Sequence, residues 1–319
     1  TETSVLAHKA FWKTIMTTAQ IDGDTATKAP LYFFLVIVTI LASASYGLAF
    51  VMGDDNRTIG IVLVQFSPAL AALITKFRFQ GNLRGLGWGW GKTRVQIAAY
   101  ITPLFIALIS FSLVWTLGFG GFYGEWILEA QAGMAETFGF TISSTILVLM
   151  VVIAVNGTIG LLVGFGAIGE EIGWRGFMVP ELYKHYDFTK TALISGTIWA
   201  VYHWPLLYVL MAPRLEVSPW PLMAFSLIAG IGLSTILAWF RIKSGSVWTA
   251  VLFHAALNIH NQGFFQNLTE KTSSLTHYIS GEHGLMLALV SAAFGFWFWR
   301  KRGELPGSAP RTEDFRPES

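Results

Sequence analysis

The sequence of 319 residues contains no cysteine and has few charged residues. The absence of cysteine excludes disulfide bonds, thiolate metal ligands and a cysteine nucleophile. Charged residues make up only 13% of the chain, against roughly 25% in a typical soluble domain, and 53% are hydrophobic. This composition predicts an integral membrane protein. A formal charge of +2 gives no sign of a nucleic-acid partner, so we expect membrane lipids around the chain and no nucleic acid.

Several familiar catalytic motifs are also absent. The chain has no Gly-x-Ser-x-Gly elbow, no His-Glu-x-x-His zinc motif and no Walker loop. It lacks the intramembrane aspartate pair of an aspartyl intramembrane protease, and it shows no repeated helix pattern of the kind that many transporters have. A hydrolase in this chain would therefore need a different set of residues.

Eight long apolar runs follow a mixed, polar N-terminal stretch. Each is near the roughly 17 to 25 residues that an α-helix needs to cross a bilayer, although the last two are short. The runs cover about 31–52, 58–75, 95–117, 143–166, 191–211, 220–240, 246–263 and 284–299. They predict an all-α transmembrane bundle of about eight spans, in one domain over residues 31–299 between tails at 1–30 and 300–319.

The basic residues give an independent test of orientation, because lysine and arginine accumulate in short cytoplasmic loops. If the N-terminus is inside, 18 of the 21 basic residues lie in inner segments. Only Arg57, Arg214 and Lys271 lie in outer loops. We therefore expect both tails to be cytoplasmic and the protein to lie in a bacterial cytoplasmic membrane.

Two adjacent carboxylates, Glu170 and Glu171, directly follow a run without charged residues, Thr137 to Gly169. An ionised group at the centre of a membrane helix costs about 2.5 to 3.5 kcal/mol, so such residues usually mark a site. Glu171 and Arg175 are four residues apart, which places them on one helix face where they can pair. Glu170 is then left for chemistry.

Two further runs carry isolated polar residues. The fifth contains His203, and the seventh contains His254 and Asn258 at a spacing that places both on one helix face. A glutamate and a neutral histidine can activate a water molecule, and a second histidine with an asparagine can stabilise an oxyanion. Alternatively, Glu170, His203 and His254 could hold Zn2+. The residues alone leave both mechanisms open.

The three motifs together resemble the CPBP family, the CAAX-protease and bacteriocin-processing membrane peptidases that include the Ras-converting prenyl endopeptidases. The family pattern is Glu-Glu-x-x-x-Arg, Phe-x-x-x-His and His-x-x-x-Asn. It is matched here at residues 170–175, 199–203 and 254–258, within a region of about 160–262. Trp199 stands where the family usually has phenylalanine, which we interpret as a conservative aromatic change.

The resemblance implies a role for each motif residue. Glu170 acts as general base with His203, and His254 and Asn258 form the oxyanion site. Glu171 and Arg175 support that arrangement. The family is also commonly described as metalloprotease, and a metal-free mechanism competes with that description.

The implied function is an intramembrane endopeptidase that cuts a peptide or protein near the membrane surface, including substrates with a lipid-modified C-terminus. A non-catalytic immunity or scaffold protein and a proton-coupled small-molecule transporter are the alternatives. Counting from the inner ends of their runs, His254 is roughly 12 Å deep and His203 roughly 18 Å deep. We therefore expect the site to open towards the cytoplasm. His260, His277 and His283 belong to or adjoin the outer loop, and we expect them to be bystanders.

Overall fold

The computed structural model describes residues 23–122, 124–139, 141–163 and 166–307. The first 22 residues of the predicted N-terminal tail and residues 308–319 of the predicted C-terminal tail are outside this part. The described chain is helical except for loops and one pair of two-residue strands, so the predicted all-α membrane fold is confirmed.

Thirteen α-helices are present in the described residues, some joined end to end by wider, π-helical turns. The α-helices are α1 (Gly23–Val51), α2 (Gly53–Gln80), α3 (Thr93–Thr116), α4 (Gly124–Phe138), α5 (Thr145–Val163), α6 (Ala167–Glu171), α7 (Val179–His185), α8 (Phe188–Leu206), α9 (Ala212–Arg214), α10 (Pro219–Ser244), α11 (Trp248–Asn258), α12 (Ser274–Ile279) and α13 (Leu285–Arg300). The π-helical turns are Ile172–Met178, Leu207–Met211 and Ile259–Phe265, and a 3-10 turn is formed by Arg302–Glu304. The strands are β1 (Gly121–Phe122) and β2 (Thr269–Glu270).

Each of the eight predicted apolar runs corresponds to a helix or to a continuous helical stretch. Five stretches in the described chain are long and apolar enough to cross a membrane unaided. They are Lys28–Val51, Arg57–Gln80, Thr93–Thr116, Phe188–Arg214 and Pro219–Ser244. The other runs form the shorter helices α5 and α13 and the stretch from α11 through its π-helical turn.

Local signals account for where several helices begin and end. Asp187 caps the start of α8, because its side chain accepts a hydrogen bond from the amide of Lys190 at 2.8 Å. Helix α10 ends at Ser244 and is capped by Gly245, whose φ of 71° is the left-handed conformation that glycine adopts at low cost. Within α8, Pro205 lacks an amide hydrogen, and the wider π-helical turn follows two residues later.

Contacts between loops define two ends of the bundle. At one end, β1 pairs with β2, so the segment after α3 meets the loop between α11 and α13. At the other end, the amide of Val247 donates to the carbonyl of Gly87 at 2.8 Å, which joins the loop after α2 to the turn before α11. We call these the strand end and the basic end. The basic end carries Lys76, Arg78, Arg84, Lys92, Arg94, Lys184, Lys190, Arg241, Lys243, Arg300, Lys301 and Arg302.

The interior of the bundle is filled by large aromatic and aliphatic side chains. Phe34, Trp174, Phe240 and Phe253 are fully buried and belong to one cluster between the helices. Many large apolar side chains instead point outwards, as expected of helices in contact with lipid rather than water. Examples are Val36, Ile59, Phe105, Leu289 and Phe296.

Two glycines allow the segment with the paired glutamates to pack directly on α2. A β-carbon at Gly169 would lie 2.6 Å from the carbonyl oxygen of Gln65, and one at Gly173 would lie 2.4 Å from the β-carbon of Pro68. Small residues at such positions let membrane helices approach closely. The close packing fixes where Glu170 sits between its neighbours.

Candidate active site

Glu170 lies in α6 and is held through one carboxylate oxygen. Its Oε2 atom accepts a hydrogen bond from Trp199 Nε1 at 2.8 Å and a longer one from Trp174 Nε1 at 3.4 Å. His203 Nε2 is 3.8 Å from the same oxygen. Among the described residues, Oε1 has no hydrogen-bond partner, and Glu170 lines a cavity. The carboxylate is therefore fixed on one side and available on the other.

His203 is oriented by the backbone of its own helix. Its Nδ1 atom is 2.8 Å from the carbonyl oxygen of Trp199, which can only accept a hydrogen bond. We therefore assign the proton of the neutral ring to Nδ1, which leaves the lone pair of Nε2 directed to the side of Glu170. A water molecule near both groups could donate one proton to each.

Glu171 forms a separate buried cluster beneath Glu170. One of its oxygens, Oε1, is 2.8 Å from Arg175 Nη1 and 2.9 Å from His254 Nδ1. Glu171 and Arg175 are 0% and 1% exposed, respectively, so this ion pair is removed from solvent. The predicted pairing of Glu171 with Arg175 is present, and His254 joins it. The indole ring of Trp199 lies over the guanidinium of Arg175, 4.4 Å from its central carbon, and packs edge-on against His254.

A cavity of about 410 Å3 extends from these groups. Glu170, His203, His254 and Asn258 all line it, whereas Glu171 and Arg175 lie behind its wall. Asn258 follows His254 by one helical turn on α11, and its Oδ1 atom has no hydrogen-bond partner among the described residues. The structure thus brings three separate motifs to a single cavity.

The residues that could hold a metal ion do not form a metal site in this geometry. In the described part of the chain, no three histidine, aspartate or glutamate side chains are grouped closely enough to share an ion. Nδ1 of His203 is hydrogen-bonded to the carbonyl oxygen of Trp199, and Nδ1 of His254 is hydrogen-bonded to Oε1 of Glu171. Histidines that bind a metal through Nε2 commonly have such a bond at Nδ1. Glu170 and His203 lie 3.8 Å apart, and Nδ1 of His254 is 2.9 Å from Glu171.

The cavity opens at the strand end of the bundle. Its wall continues past His203 to the end of the helical stretch at Met211 and Leu215, and its rim is formed by the loop between α11 and α13. The rim residues from that loop are Gln266, Asn267, Thr269, Lys271, His277, Ser280, Gly281, Glu282 and His283. The described residues next to the two tails, Pro30 and Arg300, lie at the basic end, whereas the cavity opens at the strand end. The expectations of cytoplasmic tails and of a cytoplasmic opening therefore cannot both hold.

Two histidines that we expected to be bystanders are part of the cavity wall. The ring of His283 lies 6.5 Å from that of His203, and His277 lies farther out on the rim. Both are outside the membrane-spanning helices. Burial lowers the pKa of His283, opposed by Glu282 and reinforced by His203, and burial and Lys271 lower that of His277. His260 is buried and is not among the residues that line this cavity.

Comparison with known proteins identifies the same region of the chain. Residues 154–260 match the family model described as type II CAAX prenyl endopeptidase Rce1-like. This part of the chain is thus similar to the CAAX-protease family. A CAAX prenyl protease 2 from Methanococcus maripaludis is 24% identical over 160 residues, which cover 49% of this chain.

The family assignment that the motifs indicated is thereby confirmed. The CAAX-protease region contains Glu170, Glu171, Arg175, His203, His254 and Asn258. The chain spans about half the length of the curated relative, 52%, so that protein's activity supports a proposal here. Together with the long apolar helices, the match supports an integral membrane protein with a region similar to CAAX proteases.

Proposed function

We propose that this protein is a membrane endopeptidase that hydrolyses a peptide bond with a water molecule activated by Glu170 and His203. The observation that carries the proposal is the 3.8 Å separation between Glu170 Oε2 and His203 Nε2 at a cavity wall. One water molecule can stand within hydrogen-bond reach of two groups at this distance. Both groups are mostly buried, with side-chain exposures of 7% and 20%, so bulk water competes little for them.

In the first step, the water molecule attacks the carbonyl carbon of the substrate. Glu170, assisted by Nε2 of His203, takes one of its protons as the new carbon–oxygen bond forms. The resulting tetrahedral intermediate carries negative charge on the former carbonyl oxygen. In the second step, the carbon–nitrogen bond breaks, and the proton held at Glu170 or His203 passes to the leaving amine. A general base of this kind contributes about 10²- to 10⁴-fold to the rate.

We propose that His254 and Asn258, which line the same cavity, stabilise the oxyanion of the tetrahedral intermediate. The amide nitrogen of Asn258 donates one hydrogen bond. Nε2 of His254 donates a second when the ring carries both protons, since Nδ1 already donates to Glu171. The charge of Glu171 stabilises that doubly protonated ring. With His254 charged, Glu170, Glu171, Arg175 and His254 sum to zero, which lowers the cost of burying them together.

Two observations bear on the alternatives. Trp174, Arg175 and Phe177, close to Glu170 in the chain, are each at most 2% exposed and are not among the residues that line the cavity. A transporter needs a path that can open to both sides, so this buried packing beside Glu170 favours hydrolysis over transport. The metal-free form of the reaction is our proposal, because Glu170 and His203 by themselves flank a position for the water molecule.

The test uses purified protein in lipid vesicles and a peptide library analysed by mass spectrometry. Glu170→Gln and His203→Ala are expected to lower cleavage by about 10²- to 10⁴-fold while the melting temperature stays near that of the unmodified protein. Glu181→Gln and His185→Ala are matched controls, because both residues lie near the basic end and do not line the cavity. Retained cleavage in Glu170→Gln would contradict the role of Glu170 as the base. No cleavage by the unmodified protein would contradict the peptidase proposal and support a scaffold role.

A further inference from the structure

The position of the cavity relative to the charged loops bears on where the substrate comes from. From Glu170 the cavity runs past Tyr46 near the end of α1 and past Gln65 in the first half of α2. It then reaches Leu222, near the start of α10, and the loop between α11 and α13. Each of these segments lies at or near the strand end. None of the lysines and arginines of the basic end lines this cavity.

The two ends differ strongly in charge. The described lysines and arginines outside the site crowd the basic end, and the strand end has only Arg57, Arg214 and Lys271. The acidic residues show the opposite preference, and six of those in the described part belong to the strand end. These are Glu125, Glu129, Glu136, Glu216, Glu270 and Glu282. Because lysine and arginine are retained on the cytoplasmic side of a membrane, the basic end is the cytoplasmic one.

The depth of His203 agrees with an opening at the strand end. The stretch Phe188–Arg214 is helical over 27 residues, and His203 is its sixteenth residue. At about 1.5 Å per residue, His203 is roughly 22 Å from the basic end of this stretch and roughly 17 Å from its strand end. The smaller depth expected from the sequence was counted along the apolar run 191–211, which is shorter than the helical stretch at both ends. The complete helix places the ring beyond its midpoint.

We infer that the cavity opens on the non-cytoplasmic side of the membrane and that its substrate is a peptide segment presented at that surface. The catalytic part of this inference rests on the proposed endopeptidase function. The rim has the chemistry for a peptide chain, because Gln266, Asn267 and Ser280 offer donors and acceptors for backbone groups. Lys271 and Glu282 add one charge of each sign. Leu215 and Leu222 provide apolar contacts beside them.

The absence of native cysteine allows a direct test with single introduced cysteines. Asn267→Cys and Lys271→Cys place a thiol on the exposed rim, and Asn82→Cys places one on an exposed loop of the basic end. Intact cells are treated with a charged, membrane-impermeant maleimide. We expect the two rim thiols to react and the Asn82→Cys thiol to react only after the cells are permeabilised. Full reaction of all three in detergent is the control for thiol reactivity.

The possible outcomes separate this inference from the proposed function. Reaction of Asn82→Cys in intact cells, or failure of both rim thiols to react there, overturns the inference whether or not the protein cleaves peptides. A second measurement connects access to catalysis. Impermeant reagent applied to whole cells should inhibit cleavage by Lys271→Cys and leave the cysteine-free protein active. If the rim reacts from outside and cleavage persists unchanged, the peptide does not enter through this rim.

Discussion

The indole nitrogen of Trp199 donates a 2.8 Å hydrogen bond to Oε2 of Glu170, the carboxylate that we propose as general base. Phenylalanine, the usual residue of the family at this position, has no such donor. The sequence suggested a conservative aromatic change, but the structure gives tryptophan a polar contact with the site. The same ring packs on Arg175 and His254, the two side chains that contact Glu171, so Trp199 connects Glu170 with the buried cluster around Glu171.

We predict that Trp199→Phe lowers kcat about tenfold while KM changes little. A hydrogen bond to a charged group contributes about 1.5 to 3 kcal/mol, and 1.4 kcal/mol corresponds to a factor of ten. The phenyl ring keeps the aromatic contacts, so the melting temperature should fall only slightly. Trp204→Phe is the matched control. Trp204 lies on the same helix, but its indole nitrogen donates to Ser226 instead of Glu170. Equal kcat losses in the two variants would contradict a positioning role for Trp199.

Arg175 is expected to matter for stability as well as activity. Arg175→Ala leaves the carboxylate of Glu171 buried with His254 as its remaining partner. Removing one member of a buried ion pair costs about 3 to 5 kcal/mol. We expect reduced yield and a markedly lower melting temperature. The double variant Glu171→Gln, Arg175→Met should melt above Arg175→Ala, because it removes both charges of the buried ion pair instead of one. A lower melting temperature in the double variant would contradict this account.

Close packing of the glutamate segment on α2 gives a third prediction. Gly173→Ala would place a β-carbon 2.5 Å from the backbone carbonyl carbon of Pro68, so the two segments must move apart. We expect a stability loss of about 1 to 3 kcal/mol, typical of overpacking, together with reduced activity as Glu170 shifts. At Gly176 the nearest atom to such a carbon is 3.4 Å away. Gly176→Ala should therefore be the milder change by thermal melting, and the reverse order would show that this contact does not position Glu170.

The metal-free proposal is tested by metal removal. Purified protein treated with a strong chelator and then freed of it should keep its cleavage rate, because Glu170 and His203 supply the water-activating groups themselves. Elemental analysis of the same sample should find no stoichiometric zinc. A lost activity that returns on addition of Zn2+ would identify a metallopeptidase, with Glu170, His203 and His254 as the residues to examine first.

Much of the architecture was accessible from the sequence because it depends on local chemistry. Apolar runs of spanning length predicted the membrane helices. Four-residue spacing predicted that Glu171 would meet Arg175 and that His254 and Asn258 would share a face. These relationships follow from helix geometry and need no knowledge of neighbouring segments.

Other features depend on how distant segments pack, and periodicity carries no signal for them. His283 reaches the neighbourhood of His203 only because the loop before α13 folds over the cavity. Helix α4 was not expected, since its apolar character is too weak to suggest a span. The side on which the cavity opens is set by the loops that surround its rim. An estimate of depth from run length therefore placed His203 too near the basic end.

The buried packing beside Glu170 has a kinetic consequence for the proposed peptidase. Trp174, Arg175 and Phe177 are buried and are not among the residues that line the cavity, so we expect substrate and products to use the same mouth. A cleaved fragment that remains bound then prevents the next peptide from entering. Such an enzyme should be inhibited competitively by its own products, and its turnover should depend on how quickly the longer fragment diffuses back past Lys271 and Glu282.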